Sequence, residues 1–428
     1  MPEGAKPGNS YPSPARAWSL VALLTVTYVF SFTDRTILGL LIEPIKSDLA
    51  LTDTQLGLLL GPAFGILYAT MGLPFGWLAD RWKRTWIIGI GATVWSLATI
   101  ASGFARGFAG LFAARMTVGV GEATLSPCAM SLVADSFPPE KRGKPIAFYS
   151  MAIVFGSSLA FLLGAFVLGS TSNWQWVFII VGAAGLLPAV IFFFLAEPTR
   201  RAAQLRDESL KGTGIPDAVG YVLRHWKTYG SFVSLMCLMT IIAYAGSWNP
   251  AMFERTWGWS AEKYAWINGL VTLPLGITVY WASGWLSDRW TQQGSRDAPL
   301  KIMITGALIM APLYALAPLM PGPWLAFVVL NTGSVGMMML TAVSVTALLN
   351  ITPAAIRAQI IAIYYMTISL TGLFIGPTMV GYLSQHWFGE DRLNLAVAAM
   401  PVLFGALPLL LIPWTVRLYR AHALRLSA

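Results

Sequence analysis

The 428 residues are 56% hydrophobic and only 11% charged, with a mean hydropathy of +0.64. A soluble domain carries about a quarter charged residues, so this composition excludes that class and indicates a polytopic membrane protein. The net charge of +9 raises the question of nucleic acid, which the placement of the basic residues answers below.

Residues 1–16, MPEGAKPGNSYPSPAR, are rich in Pro and Gly and read as a disordered cytoplasmic N-terminus. The apolar run that follows is too long for a signal-peptide core and contains Asp34 and Arg35, so it reads as a retained first helix. A spanning helix needs roughly 20 mostly apolar residues. Twelve runs qualify, at 17–42, 54–79, 85–104, 109–134, 145–169, 175–196, 228–253, 263–287, 300–319, 323–349, 357–384 and 393–416. The longest polar interruption follows the sixth. The expected domains are therefore a six-helix bundle at 17–196, a cytoplasmic linker at 197–227, a second bundle at 228–418 and a cytoplasmic tail at 419–428. The expected fold class is an all-α polytopic membrane protein with two pseudo-symmetric six-helix bundles.

With the N-terminus inside, 21 of the 28 Lys and Arg residues fall on the cytoplasmic side and five outside, at Lys46, Arg106, Arg255, Lys263 and Arg392. The positive-inside rule then puts both termini in the cytoplasm of a cell membrane. The basic excess is membrane grip, and no nucleic-acid partner is expected. The 18 Trp and 14 Tyr suit two membrane interfaces.

The stretch GWLADRWKR, Gly76–Arg84, returns as GWLSDRW, Gly284–Trp290, at an offset of 208 residues and with six of seven positions identical. Each copy joins the second helix of a half to its third on the cytoplasmic side. Parallel six-helix repeats around a central site are a transporter architecture. The expected cytoplasmic gate comprises Gly76, Asp80, Arg81, Arg84, Asp135, Gly284, Asp288 and Arg289. In it Asp80 caps a neighbouring helix, the eleventh, and Arg81 or Arg84 pairs with Asp135, while Asp288 acts against the fifth helix. Mere interfacial anchoring would explain the basic residues but not the paired Asp.

Only Asp34, Arg35, Arg115 and Glu122 are placed inside helices among the charged residues, and they sum to zero. A charge at membrane depth costs at least a few kcal/mol, so each needs a reason. Asp34 and Arg115 lie at compatible depths, roughly 12 and 9 Å at 1.5 Å per residue, which predicts a direct ion pair. Glu122 follows Arg115 by seven residues and shares its face. Arg35 is turned 100° from Asp34 and is expected to face the substrate. Glu122 and Asp34 are the expected proton-coupling residues. Arg115 and Arg35, with Asn249 and Asn268 from the second half, are the expected substrate-binding residues. A structural clamp between the first and fourth helices is the competing reading.

Other motifs carry less. GVGEAT, from Gly119, resembles a dinucleotide fingerprint but lies within a spanning helix with no strand before it. Gly57, Gly61 and Gly65 form a small-residue stripe suited to close helix packing. Discontinuous helices are expected at LYATMGLPFG and TGLFIGP. Cys128 and Cys237 lie in apolar runs and imply neither disulfide nor metal site. No cofactor is expected, and no Ser–His–Asp arrangement suggests an enzyme.

With these motifs over twelve helices, the chain resembles the major facilitator superfamily, whose pattern is G-x-L-a-D-R-x-G-R-R/K. Lys83 stands where that pattern has glycine, and the second copy lacks the later arginine. FTDRTI, LTDTQLGLLLGPAFGILY and RMTVGVGEATLSP further resemble the spinster family. That resemblance implies a proton-linked carrier of lysolipids or sphingolipid-like anions, with protons, the bilayer and an amphipathic substrate as partners. The Asp-Arg and Arg…Gly-Glu motifs also occur in organic anion symporters, so a small-carboxylate/proton symporter is the alternative. A receptor or channel is the rival from another class. A monomer is expected.

Overall fold

The structure is a computed structural model that describes residues 11–79, 81–138, 141–171, 173–200, 215–295, 297–353 and 356–427. Its elements are helices, with no strand among the described residues. Among the described residues, eleven helices are long and apolar enough to cross a membrane. The remaining sequence run, the fourth, is also helical, but it is broken into Phe108–Glu122 and Leu125–Ser136.

The break coincides with a proline. Proline has no N–H for the carbonyl four residues back, and its ring crowds that carbonyl. Pro127 stands four residues after Ala123, where the fourth span parts. The first span likewise parts into Pro14–Leu40 and Ile42–Leu49 four residues ahead of Pro44. The seventh runs Trp226–Ala245, tightens at Gly246–Trp248 and resumes at Asn249–Trp257 around Pro250. The breaks expected at LYATMGLPFG and TGLFIGP do not occur. Pro74 lies inside Pro62–Ala79 and Pro377 inside Arg357–Leu383, both uninterrupted. Neighbouring groups in a packed bundle can re-satisfy a backbone that proline disturbs, which is how spanning helices carry it.

The second span opens at Asp53 with a reciprocal cap. Thr52 Oγ1 accepts from the Gln55 N–H at 3.3 Å, and Gln55 Oε1 accepts from the Thr52 N–H at 3.0 Å. The two copies of the repeated motif differ. The first ends its helix at Ala79 and turns through Trp82 into Arg84–Ser102. The second stays helical, inside Ala261–Gln292, and the chain turns only afterwards at Gly294, whose φ of +91° suits glycine. Of the expected linker, Ile215–Arg224 is a short helix and the seventh span begins at Trp226.

Contacts divide the chain into two compact units, falling within Met1–Thr36, Ile66–Ala160 and Asn173–Lys211, and within Ile37–Gly65, Phe161–Ser172 and Gly212–Ala428. These boundaries do not follow the polar linker alone. Residues 37–65 and 161–172 pack with the C-terminal helices. In the first unit a Cβ on Gly121 would come within 2.7 Å of the Gly91 carbonyl, so the third and fourth spans touch backbone to backbone. In the second, a Cβ on Gly61 would meet the Leu373 carbonyl at 1.9 Å and one on Gly57 the Pro377 carbonyl at 2.7 Å. The glycine stripe thus seats the start of the second span on the eleventh.

Candidate functional site

The four membrane-depth charges gather within the first unit as two ion pairs. Arg115 Nη1 donates to Asp34 Oδ2 at 2.7 Å, the pair expected from depth. Thr99 Oγ1 lies 2.9 Å from the other Asp34 oxygen. Arg35 Nε donates to Glu122 Oε2 at 2.6 Å, and Ser31 Oγ donates to the same oxygen at 2.7 Å. Asp34, Arg115 and Glu122 are buried, each 2% exposed or less.

Arg35 is not turned away as a lone substrate cation. The 100° between consecutive helical residues directs Asp34 to Arg115 and Arg35 to Glu122. Its guanidinium also lies over the Tyr68 ring at 4.2 Å and near Phe32 at 5.1 Å, a cation–π arrangement. Its side chain keeps 17% exposure, the most open of the four. Glu122 shares a face with Arg115, as spacing requires, yet its ionic partner is Arg35. Glu122 Oε1 has no hydrogen-bond partner among the described residues.

Ser31, Thr99 and Tyr68 complete this site and were not singled out from sequence. Ser31 was legible, standing three residues before Asp34 and four before Arg35, on their helix face. Thr99 and Tyr68 carry no local signal.

Asn249 and Asn268 belong to the second unit and are buried there. Asn249 begins the helix after the break in the seventh span, and its Oδ1 has no partner among the described residues.

The expected gate residues among those described each sit within one unit. Arg84 meets Asp135 through Nη1, as expected, and also donates to Ser131 Oγ and Glu197 Oε1, each at 2.7 Å. These partners lie within its own unit. Arg81 instead covers the Trp77 ring at 4.0 Å, and Arg289 lies 5.1 Å from the Trp285 ring. Asp288 is exposed on its helix. Nothing approaches a Cβ position on Gly76 or Gly284. Asp80 lies outside the described residues.

A second cluster escaped sequence reasoning, which treated Lys46 and Arg255 as loop charges. In the second unit, the fully buried Asp53 carboxylate accepts from Arg255 Nη1 at 2.7 Å and Nη2 at 2.9 Å. It also accepts from Lys46 Nζ at 2.7 Å and Ser384 Oγ at 2.6 Å. Arg255 Nε reaches Glu43 at 2.7 Å, and Lys46 reaches Glu390 at 2.6 Å. Residues 43–53 are thereby pinned to residues 255, 384 and 390, some 200 to 340 positions away in sequence. No local pattern marks such partners.

In an all-α polytopic protein, ionisable residues paired at membrane depth mark a functional site. Residues 24–290 match the Major Facilitator Superfamily, and the chain belongs to that family. It is 30% identical over 406 residues to an MFS-type efflux pump of Mycolicibacterium smegmatis, covering 92% of this chain and 91% of that protein. It is 25% identical over 405 residues to spinster homolog 3 of Danio rerio, covering 90% and 80% respectively. A bacterial homologue of the human lysosomal transporter spinster, crystallised inward-facing and unoccupied, shares the fold. The TM-score is 0.79 at 24% identity, over 96% of this chain and 98% of that one. The chain is a multi-pass major facilitator transporter resembling spinster.

Proposed function

We propose that the chain is a proton-coupled secondary active transporter, working by alternating access and moving an amphipathic, lipid-like anion. It acts as two six-helix halves in a cell membrane with both termini cytoplasmic. The observation that carries this reading is the pair of adjoining buried ion pairs, Asp34–Arg115 and Arg35–Glu122. Buried pairs are weak evidence for stability, since apolar replacements of like volume often do as well. A site that must release and retake a charge needs them.

Glu122 is the proposed proton carrier. One oxygen holds Ser31 and Arg35, while Oε1 is bare, so a proton can be taken there without displacing either bond. Protonation would weaken the hold on Arg35, the most exposed of the four, and free its guanidinium for an anionic headgroup. Asp34 holds Arg115 until the cycle frees it. Asn249 and Asn268, the proposed substrate residues of the second unit, are buried and uncharged, so they offer no second cation for a dicarboxylate. Relatives that include an MFS-type efflux pump and a spinster homolog support a transport role.

The Asp53–Arg255 cluster is the proposed outer latch, since it ties segments flanking the first two spans to the seventh and eleventh. Asp80 and Asp288 remain the proposed inner gate. The reading is tested in proteoliposomes carrying a pH gradient. Glu122→Gln should abolish the dependence of lysolipid transport on the gradient while the protein stays folded. Undiminished gradient-driven transport, or a preference for sugar acids over lysolipids, would overturn it.

A further inference from the structure

At one end of the second unit, a cavity of about 260 Å3 opens between the helix Ile215–Arg224, the start of the seventh span and the end of the twelfth. Arg224, His225, Lys227 and His422 line it, and no carboxylate among the described residues does. His422 is buried; its Nε2 lies 3.2 Å from the Tyr221 hydroxyl, and its ring meets His225 edge-on at 4.6 Å. Tyr221 packs on His225 at 4.4 Å. The two imidazoles are thus held in a fixed aromatic block, with Arg224 and Lys227 exposed at its rim.

Apolar surface adjoins this basic pocket. Val219 and Leu223, one turn apart on the short helix, are 40% and 65% exposed, and Trp226 is 60% exposed. A free inorganic anion has no use for that surface. An anion carrying acyl chains does.

We propose that this pocket binds the phosphate of an anionic phospholipid, with the acyl chains along Val219, Leu223 and Trp226. The phosphate sits among the basic side chains by charge-assisted hydrogen bonds. Basic residues at the membrane surface attract anionic lipid in this way. The leaflet, cytoplasmic, rests on the orientation proposed above; the binding itself does not depend on transport, so a binding assay can fail or succeed independently of the carrier reading.

The test uses the purified full chain in detergent, with retained lipid counted by native mass spectrometry. Dioleoyl phosphatidylglycerol should be held in preference to dioleoyl phosphatidylcholine. R224Q/K227Q should weaken that hold by about 30-fold, taking roughly fivefold per basic side chain. K141Q/K144Q, which removes the same charge from two exposed positions elsewhere, should leave it unchanged. If R224Q/K227Q does not fold, His422→Gln serves, with the same expected direction. Equal retention of the two lipids, or equal loss in K141Q/K144Q, would overturn the proposal. So would inorganic phosphate displacing phosphatidylglycerol at equal concentration, which would reassign the pocket to a free anion.

Discussion

Replacing Asp53 by Asn should loosen the proposed latch by a calculable amount. The carboxylate takes two bonds from Arg255 and one each from Lys46 and Ser384. Asparagine offers one acceptor oxygen and turns an NH2 group toward at least one cationic donor. Losing one member of a buried charged cluster costs 3–5 kcal/mol. Arg255 keeps Glu43 and Lys46 keeps Glu390, so the lower end applies, about 3 kcal/mol. That is roughly a 100-fold shift between this arrangement and any state in which residues 43–53 leave Arg255. The assay is thiol labelling of Ile45→Cys, a fully buried position beside the cluster, with Cys128 and Cys237 removed. A membrane-impermeant maleimide should react at least about tenfold faster in Asp53→Asn, because a population shift follows only from a differential contact. Unchanged labelling in both Asp53→Asn and Arg255→Gln would refute the latch.

Four further outcomes follow from the same geometry. Glu122→Gln should uncouple transport from the proton gradient without loss of insertion, read by uptake at imposed pH differences. Asp34→Asn should lower thermal stability in detergent by about 3 kcal/mol or more, since Arg115 stays buried without its carboxylate; Asp34→Asn with Arg115→Gln should recover stability but not transport. Gly61→Leu should break the seat of the second span on the eleventh, lowering the melting temperature, because its Cβ would fall 1.9 Å from a carbonyl oxygen. Asp297 is held below its ordinary value: burial opposes this, but hydrogen bonds from Arg420, Lys301 and Ser295 outweigh it. Its contribution is therefore full above the ordinary carboxylate range and lost as pH falls through the depressed value. Asp297→Asn should lower the melting temperature at neutral pH, with the gap to the parent closing only in strong acid.

The spans were legible because a bilayer imposes one length and one polarity on every crossing, whatever its neighbours. Their breaks were not legible from proline alone: the fourth span parts at Ala123, four residues before Pro127, whereas Pro74 and Pro377 lie inside unbroken helices. Helical spacing put Asp34 opposite Arg115 at a common depth, and it put Arg35 on a different face. It did not say what that face meets. Arg35 reaches Glu122 and Tyr68 because of how the first, second and fourth spans are rotated about their own axes, which packing at contacts such as Gly91 on Gly121 decides. Lys46 and Arg255 looked like loop charges because ion pairing depends on distance in space, and Asp53 lies 202 positions from Arg255 along the chain. Repetition of sequence was likewise no guarantee of shape: GWLADRW ends a helix and GWLSDRW continues one. Local chemistry sets where this chain crosses the membrane; which prolines part a helix and which buried charge holds which are set only when the helices close on one another, because neighbours can re-satisfy a disturbed backbone and a long, flexible guanidinium takes whichever carboxylate the packing brings within about 3 Å.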